Sequence, residues 1–94
     1  MTQDHIINFL STNKAFIQKK FNVKKIGLFG SYASNKQTLN SDIDILVDMP
    51  SSFDNFYGLK EYLENNLEKT IDLGLEKKLR NLIKQSVKNE VIYV

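Results

Sequence analysis

The chain has 94 residues, 13 basic and 11 acidic, for a net charge of +2; this leaves room for one compact domain, expected to span residues 1–94, without the basic excess of a dedicated nucleic-acid binder, so no direct nucleic-acid partner is expected. It has no cysteine, which excludes disulfides, thiolate metal sites and a cysteine nucleophile. No apolar run approaches the ~20 residues that span a bilayer and the N-terminus lacks a signal-peptide core, so a cytoplasmic protein without membrane partners is expected.

Apolar residues at Ile6, Phe9, Leu10, Ile17 and Phe21 predict one amphipathic helix from about Thr2 to Phe21, with Asn22 as its stop. "KKIGLFG" reads as a buried strand ending at Gly30. "SYAS" has the length of one or two helical turns, and "NKQTLNS" is polar enough for a loop. "DIDILVD" is rich in Ile and Val and reads as a second strand, ended by the Ser-Ser pair and Pro50. Phe56, Leu59, Leu63 and Leu67 predict a helix over Asn55 to Glu68. "KTIDLGL" is a third strand. Leu79, Leu82, Ile83 and Val87 mark a further long helix with Lys77, Lys78, Arg80, Lys84 and Lys88 on its wet face, and "EVIYV" closes the chain as a fourth strand. The order predicts an α/β fold: a small mixed sheet with helices packed mainly on one face and the other face partly open.

Asp42 and Asp44 break the local rule. Aspartate is depleted in strands, and alternation puts both on one face, roughly 6.5–7 Å apart, while Ile43, Ile45 and Val47 point into the core. Enclosed together, two carboxylates raise a pKa or demand a cation. Asp72 sits mid-strand in "KTIDLGL" and joins them if its strand lies beside theirs. Three carboxylates without His or Cys suit Mg²⁺ or Mn²⁺. Gly30 permits a sharp turn and close approach of a ligand, and Ser31 adds a hydroxyl beside the free N–H groups of a following helix. Phosphate donors facing a carboxylate cluster are the parts that nucleotidyl transfer requires. Each signal alone reads blandly: a common turn, an exposed edge strand, a solvent-facing aspartate. Their combination carries the reading.

The spacing Gly30-Ser31, ten residues, Asp42-x-Asp44 resembles the signature of polymerase-beta-like nucleotidyltransferases, and the whole chain is similar to their smallest branch, the minimal nucleotidyltransferases. That resemblance implies a nucleotidyltransferase fold and an antitoxin role opposite a HEPN-domain toxin, an RNase silenced when AMP is moved from ATP onto one of its tyrosines. It implies that Gly30 and Ser31 hold the triphosphate, that Asp42 and Asp44 bind two Mg²⁺ ions, and that Asp72 completes one metal site and helps activate the incoming hydroxyl. Many members continue Gly-Ser-x-Ala-Arg-Gly; here Ala33 is followed by Ser34 and Asn35, with Lys36 the nearest replacement cation.

Two other functions compete: a module that blocks its toxin by contact alone, and a transferase acting on a small molecule, for which no acceptor-holding segment is visible. Among remaining residues, His5 reads as surface. Tyr32 either packs under the turn or touches nucleotide or partner, Phe56 reads as core, and Phe53 or Tyr57 suits a partner interface or a base pocket.

Overall fold

The structure, a computed structural model, describes residues 1–78 and 90–94. Helix α1 (Gln3–Thr12) starts where the Thr2 hydroxyl accepts from the His5 N–H, with Asp4 in the first turn to complement the helix dipole. The single helix expected through Phe21 is two: α1 gives way at Asn13 to α2 (Lys14–Phe21). The Asn13 side chain donates to the Phe9 carbonyl at 2.9 Å, and its backbone N–H donates to the same oxygen at 3.0 Å. Such local side-chain bonding competes with the regular ladder and bends the helix path. Asn22, in left-handed conformation, ends α2 as expected.

Then follow β1 (Lys25–Phe29), α3 (Gly30–Ala33), β2 (Ile43–Asp48), α4 (Phe53–Leu67), β3 (Ile71–Leu75), a 3-10 turn at Glu76–Lys78, and β4 (Ile92–Tyr93). Of the boundaries that differ from expectation, those of β2 and α4 bear on the site. β2 begins at Ile43, so Asp42 stands just before the strand. α4 begins two residues before Asn55, because the Ser52 hydroxyl accepts from the Asn55 N–H at 3.3 Å and Asp54 occupies the first turn. The helix expected around Leu79, Leu82, Ile83 and Val87 lies outside the described residues, as do Arg80, Lys84 and Lys88.

The sheet is mixed, in the order β3-β2-β1-β4. β1 runs antiparallel to both β2 and β4, while β2 and β3 are parallel, with α4 as the crossover. Register and alternation assign the faces. Ile26 and Leu28 of β1, Ile43, Ile45 and Val47 of β2, and Ile71 and Leu73 of β3 share one face. There they bury against Ile6 and Leu10 of α1, Ile17 of α2, and Leu59, Leu63 and Leu67 of α4. Each such side chain contributes roughly 1.5–3 kcal/mol of burial. The other face carries Gly27, Phe29, Asp44, Leu46, Asp72 and Gly74. The α/β fold with helices on one face is the expected one. No helix among the described residues is long and apolar enough to cross a membrane.

Candidate active site

Three elements meet at one end of the open face. Phe29, the last residue of β1, pairs with Asp44, and Asp44 pairs with Asp72 across the parallel β2–β3 ladder. Residues in register on neighbouring strands point the same way, so the two carboxylates are side by side. Asp72 therefore lies beside Asp44, on the strand neighbouring β2.

The electrostatics record the crowding. Burial, the charge of Asp72, a hydrogen bond between the two side chains and the charge of Asp42 together push the Asp44 carboxyl from 3.8 up to about 6. Without a cation, Asp44 therefore takes up a proton at mildly acidic pH. Asp42, outside the strand, acts on Asp44 through charge and is itself exposed.

These residues fit a hard divalent cation in one way and not in another. The donors are all carboxylate oxygens, and their mutual repulsion is what a cation relieves. Yet among the described residues no three such side chains gather into a preformed metal cage. Mg²⁺ does not require one: it binds through one or two carboxylates and fills its octahedron with water and substrate phosphate.

The Gly-Ser turn is fitted to the same carboxylate. Gly30 opens α3 with φ +73°, and a Cβ there would overlap Asp44 Oδ2. Only glycine lets the chain leave β1 this close to Asp44. Ser31 is half-buried beside it. Tyr32 is 1% exposed, so of its two readings packing under the turn is the correct one. Sequence reasoning missed what holds this short helix in place: the Gln3 side-chain amide donates to the Tyr32 and Ala33 carbonyls at 3.1 and 2.7 Å. No local signal marks Gln3 for this role, because the bond spans 29 and 30 residues.

The departure at Ser34-Asn35 resolves into two parts. Asn35 takes φ +58°, the left-handed conformation that glycine would supply and that asparagine tolerates. The backbone role of the second glycine is thus kept. Ser34 turns its hydroxyl back to the Gly30 and Ser31 carbonyls, each at 3.3 Å, and offers no charge. Lys36 is exposed, its N–H closing the turn on the Ser31 carbonyl at 2.9 Å.

His5 is exposed, Phe56 is half-buried against the core, and Lys77 and Lys78 lie exposed in the 3-10 turn. The Phe53 and Tyr57 rings meet at a tilt, centroids 4.6 Å apart, beside a cleft of about 500 Å³ that Leu73 and Leu75 also line. Gly74 of the edge strand β3 lines it too.

A carboxylate pair in register lies with a glycine turn packed against it, and comparison with known proteins gives the class. Residues 10–94 match the nucleotidyltransferase domain model, and the chain belongs to that family. It is 40% identical over 96 residues to the Methanocaldococcus jannaschii protein MJ0128, named as a candidate protein adenylyltransferase, covering 99% of this chain and 98% of that one. It is 38% identical over 96 residues to the protein adenylyltransferase MntA of Thermococcus cleftensis, covering 100% of this chain and 97% of that one. Among solved structures, a toxin–antitoxin crystal structure with AMP-PNP aligns with a TM-score of 0.69 and 28% identity over 99% of this chain and 72% of that one.

Proposed function

We propose that residues 1–94 act as one minimal nucleotidyltransferase domain, an antitoxin that moves AMP from ATP onto a tyrosine hydroxyl of a HEPN RNase toxin. The observation that carries the reading is the Asp44–Asp72 pair in register beneath the Gly30 turn. It has the chemistry to meet a polyphosphate and its counter-ion. The adenylyltransferase relatives and the toxin–antitoxin neighbour with AMP-PNP support the reaction class and the partner class.

Gly30 and Ser31 hold the triphosphate, the glycine by allowing close backbone approach and the serine by its hydroxyl. Asp42 and Asp44 would hold two Mg²⁺ ions, with Asp72 completing one site, and the metal, when bound, would supply Lewis-acid charge to the phosphates and the acceptor hydroxyl. The tyrosine oxygen forms the new bond to the α-phosphorus as the bond to the β-phosphate bridge breaks, and pyrophosphate leaves with the electron pair. The tyrosine proton passes to the Asp72 carboxylate, which is exposed on the open face beside Asp44. The open face admits the toxin and its tyrosine together.

The test is the mass of the partner toxin after incubation with ATP and Mg²⁺. A gain of one or more AMP units, abolished by Asp42→Asn, Asp44→Asn or Asp72→Asn with partner binding intact, is the expected result. One observation favours a second reading, a non-catalytic blocking antitoxin: the Ser34 hydroxyl is spent on its own helix where many relatives carry an arginine. An unchanged toxin mass, with the toxin still neutralised by wild type and Asp44→Asn alike, selects that reading.

A further inference from the structure

Lys69 lies in the connection between α4 and β3. Its ammonium donates to two backbone carbonyls 30 and 28 residues earlier, Leu39 O at 3.2 Å and Ser41 O at 3.3 Å. Those carbonyls belong to residues 34–42, the connection from α3 to β2 that ends in Asp42. This segment folds on itself. The Thr38 N–H donates to Ser41 Oγ at 2.9 Å, the Asn40 N–H to Thr38 Oγ1 at 3.3 Å, and the Ser41 N–H to the Thr38 carbonyl at 3.1 Å. Its one large apolar side chain, Leu39, is 95% exposed. Beneath it lies a cleft of about 340 Å³, walled in part by Gln37, Tyr32 and Lys69. Close packing therefore does not fix this turn, and charged hydrogen bonds from Lys69 do; these are roughly twice as strong as neutral ones.

The residue after Asp42 is tied to the same place. The Ile43 N–H donates to the Thr70 carbonyl at 3.0 Å, and Glu64 Oε2 accepts the Ile71 N–H at 3.0 Å, joining that connection to the end of α4. Asp42 thus stands between two anchors, the Ser41 carbonyl and the Ile43 N–H, and both end on the dipeptide Lys69-Thr70. We propose that Lys69 is a positioning residue for Asp42, a strut that sets where its carboxylate stands relative to Asp44. The inference rests on the transfer site proposed above. Mg²⁺ demands near-ideal octahedral geometry, so a ligand free to drift is a poor one, and groups that orient ligands typically account for 10–100-fold of metal affinity.

The experiment compares the full chain with Lys69→Met and Lys69→Arg, using Mn²⁺ as the probe and reading free ion by electron paramagnetic resonance. Lys69→Met is expected to weaken Mn²⁺ binding about 10-fold and to speed amide exchange at residues 39–43. Tm of the metal-free protein should move by less than ~3 °C, since the strut ties down an exposed turn. Lys69→Arg, which keeps charge and donors, is expected to stay within ~3-fold of wild type, by the same measure of ligand orientation. Unchanged Mn²⁺ affinity in Lys69→Met overturns the proposal, as does a Lys69→Arg chain as deficient as Lys69→Met. A large loss of Tm in Lys69→Met also overturns it, because Lys69 would then hold the fold and not Asp42. If wild type binds Mn²⁺ no better than Asp44→Asn, the transfer site itself fails. If wild type binds and Lys69→Met matches it, only the strut fails.

Discussion

Replacing Gly30 with alanine tests whether the turn and Asp44 are one unit. Residue 30 holds φ +73°, and its new Cβ would overlap Asp44 Oδ2 and lie 2.9 Å from Cγ and 3.1 Å from Cβ of Asp44. The left-handed backbone costs an alanine roughly 1–2 kcal/mol. Overpacking adds about 1–3 kcal/mol, because Asp44 Cβ is fixed to β2 and cannot retreat as a flexible chain end would. A total near 3 kcal/mol, at about 4–8 °C per kcal/mol for a domain of this size, lowers Tm by roughly 12–24 °C. Circular-dichroism melts in EDTA measure this, with Gly74→Ala as the control on the same face. A Cβ on Gly74 meets only Leu46 Cδ1, at an ordinary 3.6 Å, so that variant should stay within about 0.5 kcal/mol of wild type. AMP transfer by Gly30→Ala should fall about 100-fold, the usual effect of moving a reacting group by roughly 1 Å. Equal Tm for the two variants, or a destabilised Gly30→Ala that transfers AMP normally, would refute the coupling.

Acidity gives a second test. Asp44 is raised in the folded state to about 6 from 3.8, so the metal-free fold holds a proton that the unfolded chain has released. The stability from that proton is full below about pH 4 and is lost as pH rises through 6. The shift would correspond to about 3 kcal/mol if unscreened, and solvent around this partly exposed pair reduces it to about 1 kcal/mol. Melts in EDTA at pH 5 and pH 7.5 should show about half of that fall, and Asp44→Asn or saturating Mg²⁺ should flatten it. Ser52→Ala removes the hydroxyl that caps α4 and should cost about 1 kcal/mol, roughly 4–8 °C in Tm, without changing AMP transfer by the survivors at low temperature.

The strands were legible from period-two alternation and the aspartates from their misplacement among β-branched residues, while the adjacency of β2 and β3 that pairs Asp44 with Asp72 was left as a condition, because alternation fixes faces and not strand order. The start of α4 was legible in principle: Ser52 with Asp54 behind it is a capping signal, but the apolar spacing from Phe56 onward drew the boundary inward. The break at Asn13 was hidden because Phe9, Leu10 and Ile17 keep helical spacing across it. Asp42 was assigned to β2, yet it stands before the strand, where the Thr70 carbonyl engages Ile43 and not Asp42. Gln3, Glu64 and Lys69 carried no signal. Gln3 and Lys69 reach backbone carbonyls about 30 residues distant, and Glu64 takes the Ile71 N–H just across the α4–β3 corner; backbone partners leave no mark on the sequence.

The crowding of Asp42, Asp44 and Asp72 also bears on how such a chain would change over generations. Like charges held near one another oppose the fold that displays them, so exchanging Asp44 for asparagine relieves repulsion while leaving the apolar face of the sheet intact. Drift would then run downhill in free energy toward loss of the carboxylates, with nothing in the core to resist it. A lineage released from the need to transfer nucleotides would erode this end of the sheet first and keep its shape. It would persist as a folded, partner-sized surface without the reaction.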